Sequence, residues 1–216
     1  MYNIIELEIL EEYDALTFLI EAELRDYEYN EDTRSNVSRV FSILDYMEKK
    51  YKKEGVIDLL VCKSFITFPD RIYGCRENIK EEEENITRIA NVLYDYRRRI
   101  LGSTFSYCMD EKNEWIIERR IKGEIYTDIE RKCWDEAFGE GGYITVYKES
   151  GIWEEGIYQI FLKTLKEIIS FFKELNIVSK NIVRLFTNLD NFYVKYQRNK
   201  DIHKPIADFL KLRNSL

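Results

Sequence analysis

Histidine, proline and glycine are scarce in this sequence, which has one histidine, two prolines and nine glycines among 216 residues. The scarcity of proline and glycine favours long helices, because a β-sandwich or a barrel needs many tight turns. A single histidine excludes a metal centre that uses several imidazoles. The four cysteines form no Cys-x-x-Cys pair, so we expect reduced, mostly buried thiols and no zinc site at Cys62, Cys75, Cys108 and Cys133.

The sequence also has no long apolar run and no sign of a targeting segment. Residues 1–14 lack the basic region and the uninterrupted apolar stretch of a signal peptide. No run approaches the roughly 20 apolar residues that a membrane-spanning helix requires. We therefore expect a cytoplasmic protein with no membrane partner. A net charge of −7 disfavours a broad nucleic-acid surface, and we expect no DNA partner.

Fingerprints of common cofactor sites are absent as well. There is no Walker loop, no Gly-x-Ser-x-Gly elbow and no dinucleotide-binding pattern. Glu81 and Glu84 offer a carboxylate pair to a metal, but at the start of a helix such residues are better explained by the helix dipole. We expect no metal and no cofactor.

Apolar residues recur every three or four positions through most of the chain, which is the pattern of amphipathic helices. We predict long helices in residues 5–27, 33–54, 77–100, 157–175 and 182–198, and a short last helix at 205–212. The apolar segment 56–68 fits either a strand or a buried helix, and its helical neighbours favour a helix. The predicted fold class is therefore mostly all-α, a helical bundle that forms a single domain over residues 1–216.

Residues 103–150 depart from this helical pattern. The stretches EWIIERRIKGEIY (114–126) and GYITVYKES (142–150) alternate briefly between apolar and polar residues, as short strands do. Between them, DIERKCWDEAF (128–138) fits a helix. We predict that 103–150 is an insertion within the bundle, irregular or built on a small β-hairpin.

The most informative segment is RNKDIH, residues 198–203, which carries the only histidine and lies in a basic tail. Residues 192–216 contain six basic side chains and two acidic ones, although the whole chain is negative. Arginine offers planar, permanently charged donors that match phosphate oxygens in pairs, and histidine exchanges a proton near neutral pH. The segment is therefore a candidate phosphate site, with RNA contacts expected from Lys195, Lys200 and Lys204.

The spacing of Arg198 and His203 makes a prediction about the backbone. In a continuous helix, the two side chains would lie roughly 140° apart around the axis, whereas Asn199 and His203 would share a face. Proline disfavours the helical conformation of the residue before it. We therefore expect the helix to loosen near His203 and Lys204, before Pro205, so that the imidazole can turn back toward the guanidinium.

RNA cleavage at such a site needs no metal, because the neighbouring 2′-hydroxyl can act as the nucleophile. One group removes its proton and a second group protonates the leaving 5′-oxygen. One chain provides a single imidazole, whereas a two-fold dimer that brings both copies of His203 together provides two. We therefore predict a homodimer.

RNKDIH resembles the signature of the HEPN superfamily (higher eukaryotes and prokaryotes nucleotide-binding), in which an arginine, commonly followed by a polar residue, precedes a histidine by four to six positions. Its place at the last long helix of an all-α bundle is similar too. The resemblance covers the final quarter of the chain. It implies a dimeric, metal-independent endoribonuclease of a toxin–antitoxin, abortive-infection or CRISPR-linked defence system, with an antitoxin protein as a further partner. It also implies that Arg198 stabilises the phosphate, Asn199 orients the site and His203 transfers protons.

Other interpretations of these residues stay open. Arg198, Lys200 and His203 also suit a helix C-terminus, where cations are stabilised by about 0.3–1 kcal/mol. The arginines at 97–99 fit either a phosphate clamp or a solvated helix end, and the second is favoured. The whole protein would then be a non-catalytic nucleotide- or partner-binding module, or a purely structural helical protein of a mobile element.

Overall fold

A computed structural model describes residues 4–52, 54–101 and 124–215, and for 124–128 it describes the backbone only. Two 3-10 turns, Lys80–Glu82 and Lys200–Ile202, precede the fourth and the last helix. The predicted all-α class is confirmed. The elements are α1 (Leu7–Arg25), α2 (Glu31–Tyr51), β1 (Val56–Asp58), α3 (Leu59–Cys75), α4 (Glu83–Leu101), α5 (Glu124–Phe138), α6 (Tyr143–Ser150), α7 (Glu155–Leu175), β2 (Ile177–Ser179), α8 (Lys180–Tyr196) and α9 (His203–Asn214).

The order of these elements repeats between the first half of the chain (4–101) and the second half (124–215). In each half a 21-residue helix is followed by a three-residue strand, a 17-residue helix, a 3-10 turn and a further helix. The two strands pair antiparallel, with Ile57 opposite Val178 at the centre. An antiparallel pair has a local two-fold axis, which here relates the two strands.

The helices that follow the strands obey the same local symmetry. The amide of Leu59 donates to the carbonyl oxygen of Asn176 at 3.2 Å, and the amide of Lys180 donates to that of Gly55 at 3.0 Å. The two helices pack against each other, and more than two turns further along burial raises the pKa of Asp190 in α8, with a smaller rise from the charge of Asp70 in α3. The two helices therefore run side by side in the same direction, and both end at the same end of the bundle.

Two predictions about the strands need correction. GYITVYKES forms helix α6 rather than a strand, because Tyr143, Ile144 and Tyr147 are buried on one helical face and Gly151 ends the helix at φ 72°. The segment 56–68 is helical as expected only from residue 59 onward, since its first three residues pair with β2. The helix predicted at 128–138 is confirmed within α5, whereas EWIIERRIKGEIY lies almost wholly outside the described residues.

The arginines at the end of α4 are used in ion pairs. Arg97 binds Asp70 at 2.8 Å, Arg98 binds Asp95 at 2.7 Å, and Arg99 contacts Glu48 at 3.0 Å. These pairs favour the structural interpretation over a phosphate clamp.

The chain has buried thiols and no membrane-length apolar helix in its described part. Cys62, Cys75 and Cys133 are free and buried, as predicted, and Cys108 lies outside the described residues. Within 4–101 and 124–215, every helix is either too short or too polar to cross a bilayer.

Candidate functional site

The RNKDIH segment forms the turn between α8 and α9. We expected α8 to continue to Arg198 and to loosen near His203, but it ends at Tyr196 and a 3-10 turn fills residues 200–202. Asn199 accounts for the early break, because its Oδ1 accepts from the amide of Asp201 at 3.0 Å and starts the turn. Such side-chain-to-backbone bonds compete with the helical ladder.

His203 is the first residue of α9 and is held at the surface by its neighbours. Ile202 and Phe209 are completely buried, and Pro205 is buried between them, so this face of the new helix lies on the core. His203 and Lys204 therefore point outward and are exposed. Pro205 does not break α9, because the first turn of a helix has no intrahelical partners for its N–H groups.

The imidazole turns back toward the end of α8. His203 Nε2 lies 2.9 Å from the carbonyl oxygen of Gln197, the residue before Arg198. A carbonyl only accepts hydrogen bonds, so Nε2 carries the proton in this contact. In the neutral ring Nδ1 is then unprotonated and able to accept a proton. The break at 197–202 therefore lets the ring turn back to the main chain at Gln197.

Arg198 is exposed, and its guanidinium has no hydrogen bond or ion pair with any described residue. Three basic side chains surround it along the chain. Lys195 lies over the ring of Tyr196 at 5.5 Å, Lys200 is exposed, and Lys204 contacts Glu155 at 3.6 Å. The turn therefore presents positive charge that is only partly neutralised.

Asn199 is half-buried and held by a residue that sequence analysis did not single out. Its Nδ2 donates to the hydroxyl of Tyr147 on α6. A second tyrosine, Tyr158 of α7, donates to the carbonyl oxygen of Pro205 at 2.9 Å. Both rings are buried, as expected for tyrosines at helical spacing. No sequence signal distinguishes them from other core tyrosines, because each contact spans about 50 positions along the chain.

The equivalent turn in the first half has the opposite charge. There the backbone amide of Asn78 donates to the carbonyl oxygen of Cys75 at 3.0 Å, as the backbone amide of Asn199 does to that of Tyr196 at 2.9 Å. The helix after the turn begins with Glu83 in the first half and with His203 in the second half. The first-half turn carries four consecutive glutamates at 81–84. Glu83 and Glu84 lie in the first turn of α4, where they compensate the helix dipole. Of these two turns, the second-half turn is therefore the one with the positive charge that a phosphate site needs.

The described ranges contain no group of three or more histidine, cysteine or acidic residues arranged to hold a metal ion. Comparison of the chain with protein-family models, with curated proteins and with solved structures finds no match.

Proposed function

We propose that this protein is a metal-independent endoribonuclease of HEPN type, with its site at the turn between α8 and α9. The observation that supports this most directly is the contact from His203 Nε2 to the Gln197 carbonyl oxygen at 2.9 Å. It leaves Nδ1 available as a base near the unpaired guanidinium of Arg198. A base and a permanent cation on one exposed turn are what a phosphodiester cleavage needs.

In the proposed reaction, His203 Nδ1 takes the proton of a ribose 2′-hydroxyl. The 2′-oxygen attacks the adjacent phosphorus, and the bond from phosphorus to the 5′-oxygen breaks. Arg198 stabilises the negative charge on the phosphate oxygens, and the leaving 5′-oxygen receives a proton. The products are a 2′,3′-cyclic phosphate and a 5′-hydroxyl.

The second proton-transfer group is the imidazole of a second copy of the chain. One turn offers a single histidine, so a two-fold homodimer that faces two such turns completes the site. Asn199 fixes the conformation of the turn through Asp201 and Tyr147. RNA phosphates on either side of the cleavage position are contacted by Lys195, Lys200 and Lys204. An RNA-cleaving activity of this kind suits a toxin or phage-defence protein.

The test is cleavage of single-stranded RNA by the full chain in the presence of EDTA. We expect 2′,3′-cyclic phosphate ends, and a loss of at least about 100-fold in rate for His203→Ala and for Arg198→Ala. Arg98→Ala is the matched control, because Arg98 is an exposed helical arginine whose side chain is 73% accessible. Intact RNA with wild-type protein, over a range of sequences, would refute the proposal. Growth arrest on expression that His203→Ala abolishes would place the activity in a toxin context.

A non-catalytic nucleotide- or partner-binding module is the second candidate function. The specific observation behind it is that His203 already satisfies a main-chain carbonyl at the end of α8, which is a structural use of the ring. This candidate predicts that RNA or nucleotide binding, measured by fluorescence anisotropy, survives His203→Ala unchanged. Because the nuclease proposal also lets this variant bind RNA, the two candidates are separated by the wild type, which cuts RNA only under the nuclease proposal.

A further inference from the structure

Two tyrosine hydroxyls hold the turn at its two ends. On one side of His203, Tyr147 of α6 accepts from the side-chain amide of Asn199. On the other side, Tyr158 of α7 donates to the carbonyl oxygen of Pro205 at 2.9 Å. Burial raises the pKa of Tyr158, so its hydroxyl stays protonated and remains a donor. Each bond connects the turn to a helix that is distant in sequence.

The rings that carry these hydroxyls are fixed by aromatic packing. Tyr147 lies 5.8 Å from Phe192 and 5.5 Å from Tyr196, centroid to centroid, both near the end of α8. Tyr158 packs against Trp153 at 5.0 Å and Tyr143 at 5.2 Å. Because each ring is held in this way, its hydroxyl binds the turn at a fixed position.

The first half of the chain has a corresponding turn that forms without such bonds. Its turn has the same 3-10 segment and the same backbone bond from an asparagine amide to the last helical residue. Yet Ile79, which occupies the N-cap position that Asn199 has in the second half, has no polar side-chain group, and the carbonyl of Asn85, the counterpart of Pro205, receives no side-chain hydrogen bond from the described residues. The two tyrosine bonds therefore occur where the candidate site lies.

We propose that Tyr147 and Tyr158 are positioning residues for His203, which they hold in the orientation that directs Nε2 to the Gln197 carbonyl and Nδ1 to solvent. Asn199 and Pro205 lie four residues before and two residues after His203, so the two bonds fix the backbone on both sides of it. The effect on catalysis rests on the proposed nuclease function. The effect on the orientation of the imidazole does not depend on that function.

The test uses the single histidine of the chain as its own probe. In protein with ¹⁵N-labelled histidine, NMR shifts of the two ring nitrogens report the tautomer of His203 without assignment ambiguity. In wild type we expect the neutral ring to be protonated predominantly at Nε2. In Tyr147→Phe and Tyr158→Phe we expect a mixture of both tautomers, and the double variant to show the larger change.

Tyr94→Phe is the control, because it also removes one hydroxyl bond, to Asp70 at 2.8 Å, far along the chain from the turn. Its histidine shifts should equal those of wild type. Cleavage by the two tyrosine variants should fall roughly tenfold in kcat with little change in KM, since a misplaced base affects the chemical step.

The tautomer measurement and the cleavage assay have separate outcomes. Wild-type tautomer ratios in both folded tyrosine variants would overturn the positioning role, whatever the RNA assay shows. Altered tautomer ratios with no cleavage by wild-type protein would support the positioning role and refute the nuclease. If one Tyr→Phe variant does not fold, the other still removes one of the two bonds and should shift the tautomer in the same direction.

Discussion

The ring of His203 donates from Nε2 to the carbonyl oxygen of Gln197, six positions earlier in the chain. This bond gives the ring two separable functions, because Nε2 binds the main chain at the end of α8 and Nδ1 has no hydrogen-bond partner among the described residues. A glutamine side chain can perform the first function but cannot exchange protons near neutral pH.

We predict that His203→Gln and His203→Ala differ in stability and agree in activity. His203→Ala should lower the free energy of unfolding by about 0.5–1 kcal/mol, since one hydrogen bond at the surface is lost. His203→Gln should recover most of that loss in urea denaturation, while both variants fail to cleave RNA. Cleavage that survives in the glutamine variant would show that the imidazole is not the base.

The composite site predicts interference between chains. Mixing trace wild-type protein with excess His203→Ala should lower the cleavage rate per wild-type chain at least severalfold, because mixed dimers have one imidazole. Light scattering should give about twice the chain mass of 26.1 kDa. An unchanged rate per wild-type chain, with exchange of subunits verified, would place the whole site within one chain.

The lysines around the turn should contribute unequally to RNA affinity. Lys200 is exposed and has no described partner, whereas Lys204 already contacts Glu155 at 3.6 Å. Lys200→Ala should therefore weaken binding more than Lys204→Ala and reduce the slope of log affinity against log salt by about 0.7 for single-stranded RNA. Equal effects of both substitutions on the salt slope would contradict this ranking. Lys132→Ala, which removes an exposed lysine of α5, serves as the control.

The ion pair between Asp190 and Arg213 fastens α9 to α8. Their side chains are only 15% and 12% accessible, so removal of one partner leaves a largely desolvated charge. Arg213→Ala should lower the free energy of unfolding by about 3 kcal/mol in chemical denaturation. Arg98→Ala, which breaks an exposed pair, should change it by less than about 1 kcal/mol. A similar small effect for both variants would mean that α9 is held by its apolar contacts alone.

Glu130 on α5 should make stability depend on pH. Burial raises the pKa of Glu130 to about 7 from an ordinary value of 4.5, against the opposing hydrogen bonds of Ser179 and Asn181. Between these two values the folded chain keeps a proton that the unfolded chain releases, so stability falls as pH rises through this window. The fall should reach at most about 3 kcal/mol and level off above pH 7.

Glu130→Gln should remove this dependence, because the amide resembles the protonated acid and has no proton to release. The measurement is urea denaturation at several pH values from 5 to 8. Glu149→Gln, at an exposed position, should leave the wild-type slope intact. If the slope persists in Glu130→Gln, another group is responsible for it.

Sequence periodicity predicts most helices of this fold, because an amphipathic face reflects a local spacing of three or four residues. It predicts the strand at GYITVYKES wrongly, since a short apolar pattern fits both periods and burial of Tyr143 and Tyr147 together decides for the helix. Periodicity does not predict the three-residue strands either. Their pairing joins residues more than 100 positions apart, and they depend on the partner for their backbone bonds.

The candidate site, like the fold, is predicted by the sequence only in part. Residue chemistry identifies Arg198, Asn199 and His203 as a phosphate-site candidate, and the preference of the residue before Pro205 suggests a break in the helix. The position of that break is wrong by about six residues. Asn199 caps a new turn and Ile202 is drawn into the core, and both effects exceed the weak local preference of the residue before a proline.

By itself, the sequence determined the helical class, the negative chain with a basic tail, and the one place where an imidazole can act. Those features are properties of composition and of neighbours along the chain. Only the tertiary structure decided that α3 and α8 start side by side at the paired strands, that His203 turns its ring toward Gln197, and that Tyr147 and Tyr158 hold the turn. The tyrosine contacts connect groups about 50 positions apart in the sequence. Packing of the core, and not local conformational preference, brings such groups together.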